Sequence, residues 1–264
     1  MTANVRLYVS PASHPCAAVE AALRLKAIEF ERVDLLPLSS LLVGPLRYGG
    51  TTVPGMRIDG EGIVGSRAIM RRLDALVAEP PLLPEAGSEL RRRVLDVERW
   101  GDEILQGVPR RILDVGFLRD PAAMESYVGD AELPLPRALL RAALPLTARL
   151  MALKNRASEE SARTDLRELP AHLDRIDEWI AEGVLGGERT SAADLQIGSS
   201  LRLLGTIADL REQLLARPAA ELVRLFPPLQ GELPAGVIPG AWLPQRPVSA
   251  GAGVGHAGAG QLGA

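Results

Sequence analysis

Val5-Arg6-Leu7-Tyr8-Val9-Ser10-Pro11-Ala12-Ser13-His14-Pro15-Cys16 is the stretch on which the rest of this chain is organised. Val5 to Val9 reads as a first strand and Ala17 to Lys26 as a first helix, with a polar turn between them. A strand that runs into a turn and then a helix N-terminus forms a natural anion or thiolate site. Unpaired N–H groups and the positive end of the helix dipole meet there. Ser13-x-x-Cys16 has the spacing of a redox Cys-x-x-Cys motif with serine in the first position.

Composition narrows what such a turn can serve. The chain has 264 residues, enough for one large or two small domains, and its 47% apolar content is enough for a sizeable core. Aromatics are only 3%, so Leu, Ala, Val and Ile must do the packing. A net charge of −3 gives no basic field for nucleic acid. Only Lys26 and Lys154 are lysines, an arginine bias that fits a GC-rich genome and not arginine-rich binding. Cys16 is the only cysteine, which excludes an intrachain disulfide and a cysteine metal framework. His14, His172 and His256 have no metal-ligand spacing, so no metal is expected. No charged segment followed by an apolar run opens the sequence. The most apolar stretch, Leu133 to Leu153, is broken by Arg137, Arg141, Arg149 and prolines. No membrane span and a cytoplasmic location are the expectations.

Outward from the turn, residues 1–79 alternate strand and helix. Phe30 to Leu35 reads as a second strand, and Pro37 to Gly50 as a loop with one short helical turn. Met56-Arg57-Ile58, Asp59-Gly60 and Ile63-Val64 spell a β-hairpin. Ser66 is the expected N-cap of a helix with Ile69, Leu73, Leu76 and Val77 on one face. Pro80 to Pro84 lies in a stiff linker, residues 80–87. Residues 88–226 then read as helices only. Leu90, Val94, Val97, Gly101 and Ile104 share one face of a helix ending near Pro109. Arg137 to Asn155 forms another helix, bent near Pro145. Leu166 to Ile180 is amphipathic, and Ser191 to Leu195 opens a further helix. Residues 227–264, rich in Pro, Gly and Ala, are expected to be largely disordered, with Val237 to Leu243 as the part that could pack on the body.

A β-α-β-β-β-α unit, a proline linker and an all-helical second half resemble the soluble glutathione S-transferases, as a divergent bacterial-like member. Four motifs carry the resemblance: Leu7-Tyr8-Val9-Ser10-x-x-Ser13 before the first helix; Thr52-Val53-Pro54; Gly65-Ser66-Arg67-Ala68-Ile69; and Ser191-Ala192-Ala193-Asp194. The resemblance implies a thioredoxin-like α/β N-terminal domain with Pro54 cis, then an all-α C-terminal domain. It implies glutathione, or a related small thiol, as co-substrate. The thiol's cysteinyl backbone would pair with Val53 and its γ-glutamyl carboxylate would sit on Ser66, with Arg67 adding charge. Gly65 stands where that family has an acidic residue. Ser191 and Asp194 would form a structural capping box. A homodimer is the family norm.

By the same resemblance Ser13 takes the nucleophile position of the cysteine-type members, and Cys16 the resolving one. A serine hydroxyl cannot exchange disulfides. It can donate a hydrogen bond to a bound thiolate and so favour attack on an electrophile. Ser10 is a rival for that role, Cys16 another, and Tyr8 a weaker one, because strand alternation points it inward. Cys16 reads more simply as a buried apolar residue and His14 as a solvent-facing turn residue. The pocket for the small-molecule electrophile is expected between the domains. Trp100 and Arg110-Arg111 would form its wall and Leu133 to Leu153 its cover. Two other functions fit the same residues: a non-catalytic interaction or scaffold module, and a single-cysteine thiol-disulfide reductase.

Overall fold

A computed structural model describes residues 4–129 and 131–244. The sheet forms where the alternation lies. β1 (Val5–Val9) sits at its centre, and the order is β2-β1-β3-β4. β2 (Glu31–Asp34) runs parallel to β1, which requires a crossover, and α1 (His14–Leu25) supplies it. β3 (Gly55–Ile58) is antiparallel to β1 and to β4 (Glu61–Val64). Between β3 and β4, Asp59 at φ 50° and Gly60 at φ 95° make the tight turn that Asp-Gly favours. Leu7, Met56 and Ile58 are fully buried under α1 and α3 (Ser66–Leu76), with Leu23, Ile69 and Leu73 completing this core.

Two local readings change here. The stretch expected to be mostly loop before β3 contains an eight-residue helix, α2 (Ser40–Arg47), with Pro45 inside it. Gly44 is seated there against the Tyr48 ring and the Gly50 carbonyl, where a Cβ would not fit. The cap of α3 is Gly65, not Ser66: Gly65 takes φ 90°, and Ser66 is the first helical residue. That backbone conformation favours glycine over any side chain and accounts for its presence at this point.

The second half is helical: α4 (Glu89–Trp100), α5 (Gly107–Arg119), α6 (Arg137–Lys154), α7 (Glu159–Ala181), α8 (Ala192–Leu204), α9 (Ala208–Leu215) and α10 (Ala220–Val223). The helix expected to stop near Pro109 does not stop there. It passes through a π-turn, Gly101–Leu105, and Pro109 lies in the first turn of α5, where its missing N–H costs little. Leu90 and Ile104 are exposed, so the buried face of α4 is Val94, Val97 and Glu98, continued by Gly101 of the π-turn.

Two contacts fix the halves together, and a third anchors the linker between them. α1 packs on α8. Arg71 and Arg67 of α3 both reach the fully buried Glu98 of α4. The buried Lys26 ammonium donates to the carbonyls of Val77 (2.6 Å) and Pro80 (2.8 Å) and pairs with Asp74 (2.7 Å). The linker is thus tied down at its start. Two peptide bonds are cis, Val53–Pro54 and Glu79–Pro80.

The tail departs from the expected disorder over its described part. Leu233 is fully buried against Gly116, where its methyls fill the space a Cβ would need. Its backbone bridges Ile207. Ile238 is also fully buried, and Arg119 and Arg163 lie over the Trp242 ring at 4.8 and 4.4 Å. Residues 245–264 lie outside the described residues.

Candidate active site

The turn after β1 is built by the chain's own backbone. Ala12 takes φ 56°, the Ser13 N–H donates to the Ser10 carbonyl (3.1 Å), and Ser13 becomes the N-cap of α1. The Ser13 side chain makes no capping bond. Pro15 sits in the first turn of α1, a position proline suits. These residues open onto a cavity of about 530 Å³. It is lined on one side by Ser10, Ser13, Val53, Pro54 and Ser66, and on the other by Asp102, Gln106, Arg110 and Asp114 of the long α4–α5 rod. Leu133, Leu135, Leu140, Leu144 and Met151 close it. Neither the N–H nor the C=O of Val53 has a hydrogen-bond partner among the described residues.

Several expected site residues sit elsewhere. Arg67 is turned away from the cavity, with its guanidinium between Glu98 (3.6 Å) and Asp102 (4.0 Å). Ser66 reaches the cavity, but its hydroxyl donates to the Gln196 side chain (3.1 Å), whose amide donates to Gln106 (3.1 Å). Trp100 packs edge-on against Trp179 (5.0 Å) and His172 (5.5 Å). Arg111 makes a two-pronged bond to Asp165 (2.7 and 2.5 Å). Of that expected wall, only Arg110 faces the cavity. Tyr8 is buried, with its ring tilted 40° against that of Tyr48 at 5.0 Å between centroids.

Cys16 does not line the cavity; it is part of the core beneath α1. Burial pushes its thiol up to about 12, against the opposing pull of the Ser13 hydroxyl and the Ser10 backbone. The thiolate, which is the reactive form, is therefore scarce at neutral pH. Native protein at pH 8 is expected to resist iodoacetamide for hours and to alkylate only in urea, as read by intact mass. Rapid alkylation of the native chain would show an accessible thiolate.

His14 overturns its solvent-facing assignment. It is only 3% exposed, because Gln106 and Arg110 of the helical half close over the turn. Burial and the Arg110 charge hold the imidazole well below its ordinary value, while the Gln106 carbonyl accepts from it. Its Nε2 is buried with no partner among the described residues. Across the cavity Asp114, 1% exposed, accepts from the Asn155 amide at 2.7 Å. Burial outweighs that bond and the nearby Arg110 and Lys154 charges, and raises its carboxyl to about 6. Asp102, Gln106 and Asp114 were missed in the sequence, although with the expected Arg110 they recur every four residues, the mark of one polar helix face.

A carboxyl raised in the folded state binds its proton more readily folded than unfolded. It therefore destabilises the fold above its folded value and ceases to do so below its unfolded one. For Asp114 the window runs from about 6 down to the ordinary 3.8, and the effect at neutral pH is about 3 kcal/mol. Asp114→Asn is expected to gain stability relative to the unmodified chain between pH 4 and pH 8, by roughly 2–3 kcal/mol, in paired urea titrations. A difference that does not change with pH would show that Asp114 titrates normally.

Among the described residues no group of three or more His, Cys, Asp or Glu could hold a metal ion, and no helix is long and apolar enough to cross a membrane.

A central parallel β-α-β with an antiparallel hairpin, joined to a helical bundle across a shared cavity, defines a thioredoxin-like domain followed by an all-α domain. Residues 7–81 match the glutathione S-transferase N-terminal domain family. The chain has the glutathione S-transferase fold, and residues 7–81 carry that family's N-terminal domain. It superposes on a glutathione S-transferase from Sinorhizobium meliloti 1021 with TM-score 0.58 and 16% identity, over 88% of this chain and 96% of that one. A glutathione S-transferase from Rhodospirillum rubrum F11 gives 0.54 and 21%, over 84% and 86%. One from Methylobacterium radiotolerans JCM 2831, in complex with glutathione sulfonate, gives 0.53 and 19%, over 86% and 96%. No curated protein sequence matches the chain.

Proposed function

We propose that this protein is a thiol transferase of the glutathione S-transferase type. It binds glutathione or a related small thiol at the β1–α1 turn and transfers it to an electrophile in the adjoining cavity. The observation that carries the reading is the single cavity shared by Ser10, Ser13, the Val53–Pro54 loop, Ser66 and the helical half. Ser13 stands at the N-terminus of a 12-residue helix with its hydroxyl uncommitted to capping. The hydroxyl and the helix dipole together favour a bound thiolate. The unpaired Val53 backbone suits the peptide-like middle of such a thiol. In the reaction the thiol gives its proton to solvent water, the thiolate sulfur forms a bond to the electrophilic carbon, and the leaving group departs with the bonding pair.

The test is calorimetric titration with glutathione and a panel of other small thiols, followed by conjugation to a generic aromatic electrophile such as 1-chloro-2,4-dinitrobenzene. Binding of at least one thiol with turnover is expected. A folded chain that binds none is a scaffold, not a transferase. The engaged Ser66 hydroxyl and the diverted Arg67 are what favour that second reading. The buried, proton-holding Cys16 weighs against a single-cysteine reductase. The family's homodimer and a cytoplasmic location remain part of the proposal, and sedimentation equilibrium checks the dimer.

A further inference from the structure

The thiol reading leaves one part of the cavity wall unused. Arg110 lines the cavity, half-buried, and its guanidinium makes no hydrogen bond or ion pair with any described residue. Asp114 offers it charge at longer range, but that carboxylate is engaged by Asn155. Lys154 reaches the same wall, and burial and Arg110 both oppose its charge. His14 adds a buried Nε2 that no group among the described residues satisfies. Asp102 lines the wall as well and, like Asp114, acts on Arg110 only at longer range, without an ion pair; a desolvated cation left so is costly unless a counter-charge enters with the ligand. A planar guanidinium matches a carboxylate through two parallel N–H bonds.

We propose that the electrophilic substrate is an amphipathic carboxylate. Its carboxylate is held by Arg110, with Lys154 beside it, and its apolar body lies along Phe117, Leu140 and Leu144. The assignment rests on reading the cavity as a thiol-transferase site.

Calorimetric titration of the full chain with decanoate, and with decanamide as its uncharged counterpart, tests this. Decanoate is expected to bind at least tenfold tighter, about the worth of one charge-assisted hydrogen bond. In Arg110→Gln the two should bind alike, and Lys154→Gln should lose a few-fold for decanoate only. Thermal unfolding reports whether each variant is folded. Arg110→Lys, expected to keep part of the preference, covers a folding failure of the glutamine variant. Equal affinities in the unmodified chain, or a preference that survives Arg110→Gln, overturns the proposal. Parallel glutathione titrations separate the two ideas. Thiol binding without carboxylate preference overturns only the anion site. Carboxylate preference without any thiol binding removes the transferase reading, and with it the substrate role.

Discussion

Ser13→Ala is expected to lower kcat/KM for thiol transfer about a hundredfold while leaving the fold intact. The size follows from one hydrogen bond to a charged acceptor, roughly 1.5–3 kcal/mol, where each 1.4 kcal/mol is a factor of ten. Stability should change little, because the Ser13 side chain makes no capping bond to lose. The pH profile distinguishes activation from simple positioning. If the hydroxyl stabilises the thiolate, its loss moves the rising limb of kcat/KM to higher pH, since the bound thiol keeps its proton longer. Ser13→Thr should restore part of the rate. Ser10→Ala, at the other candidate hydroxyl on the cavity, should cost far less. A full rate in Ser13→Ala with a large loss in Ser10→Ala would transfer the role to Ser10.

How much of this was legible beforehand depends on the range of each interaction. The hairpin was readable because Asp59-Gly60 encodes its turn locally. The box at Ser191 and Asp194 was readable for the same reason: both partners lie within one helical turn. α2 was not, because Gly44 and Pro45 break the local signal and the helix is held by packing on Tyr48. His14 could not be placed from the turn alone, since Gln106 and Arg110, which bury it, are about ninety residues away. Arg67 was drawn off by Glu98 for the same kind of reason. The order of the Pro/Gly-rich tail up to residue 244 depends on Leu233 finding the gap over Gly116.

The second large effect is one of stability. Ser191→Ala combined with Asp194→Ala is expected to destabilise the protein by roughly 3–5 kcal/mol. Asp194 is 2% exposed, and its carboxylate accepts from the Ser191 N–H and hydroxyl (both 2.7 Å) and from the Gly186 N–H (2.8 Å). The Ser191 hydroxyl in turn accepts from the Asp194 N–H (3.3 Å). Removing both side chains takes away one cap and leaves buried donors unpaired, each costing about 1–3 kcal/mol. α8, which this box starts, packs on α1, α4 and α10. The loss therefore reaches the whole molecule. For a chain of this size it corresponds to a fall in Tm of about 10 °C. Differential scanning calorimetry checks it, with transfer activity per folded molecule measured at low temperature. Unchanged activity there, with a lowered Tm, is the expected pairing. Normal stability with lost activity would give the box a direct role in the reaction.

The π-turn at Gly101–Leu105 has a consequence for how such a site can be retuned. A π-turn carries one residue more than the α-helical path, so everything after it is rotated by about 100° around the axis. Asp102, Gln106 and Arg110 share the cavity face in the rotated setting. Deleting a single residue from the turn would swing Arg110 and Asp114 off that face and uncover His14, while leaving the backbone of the β1–α1 turn in place. Insertion or deletion at this turn would then reset the whole polar face of the cavity at once, which no single substitution does.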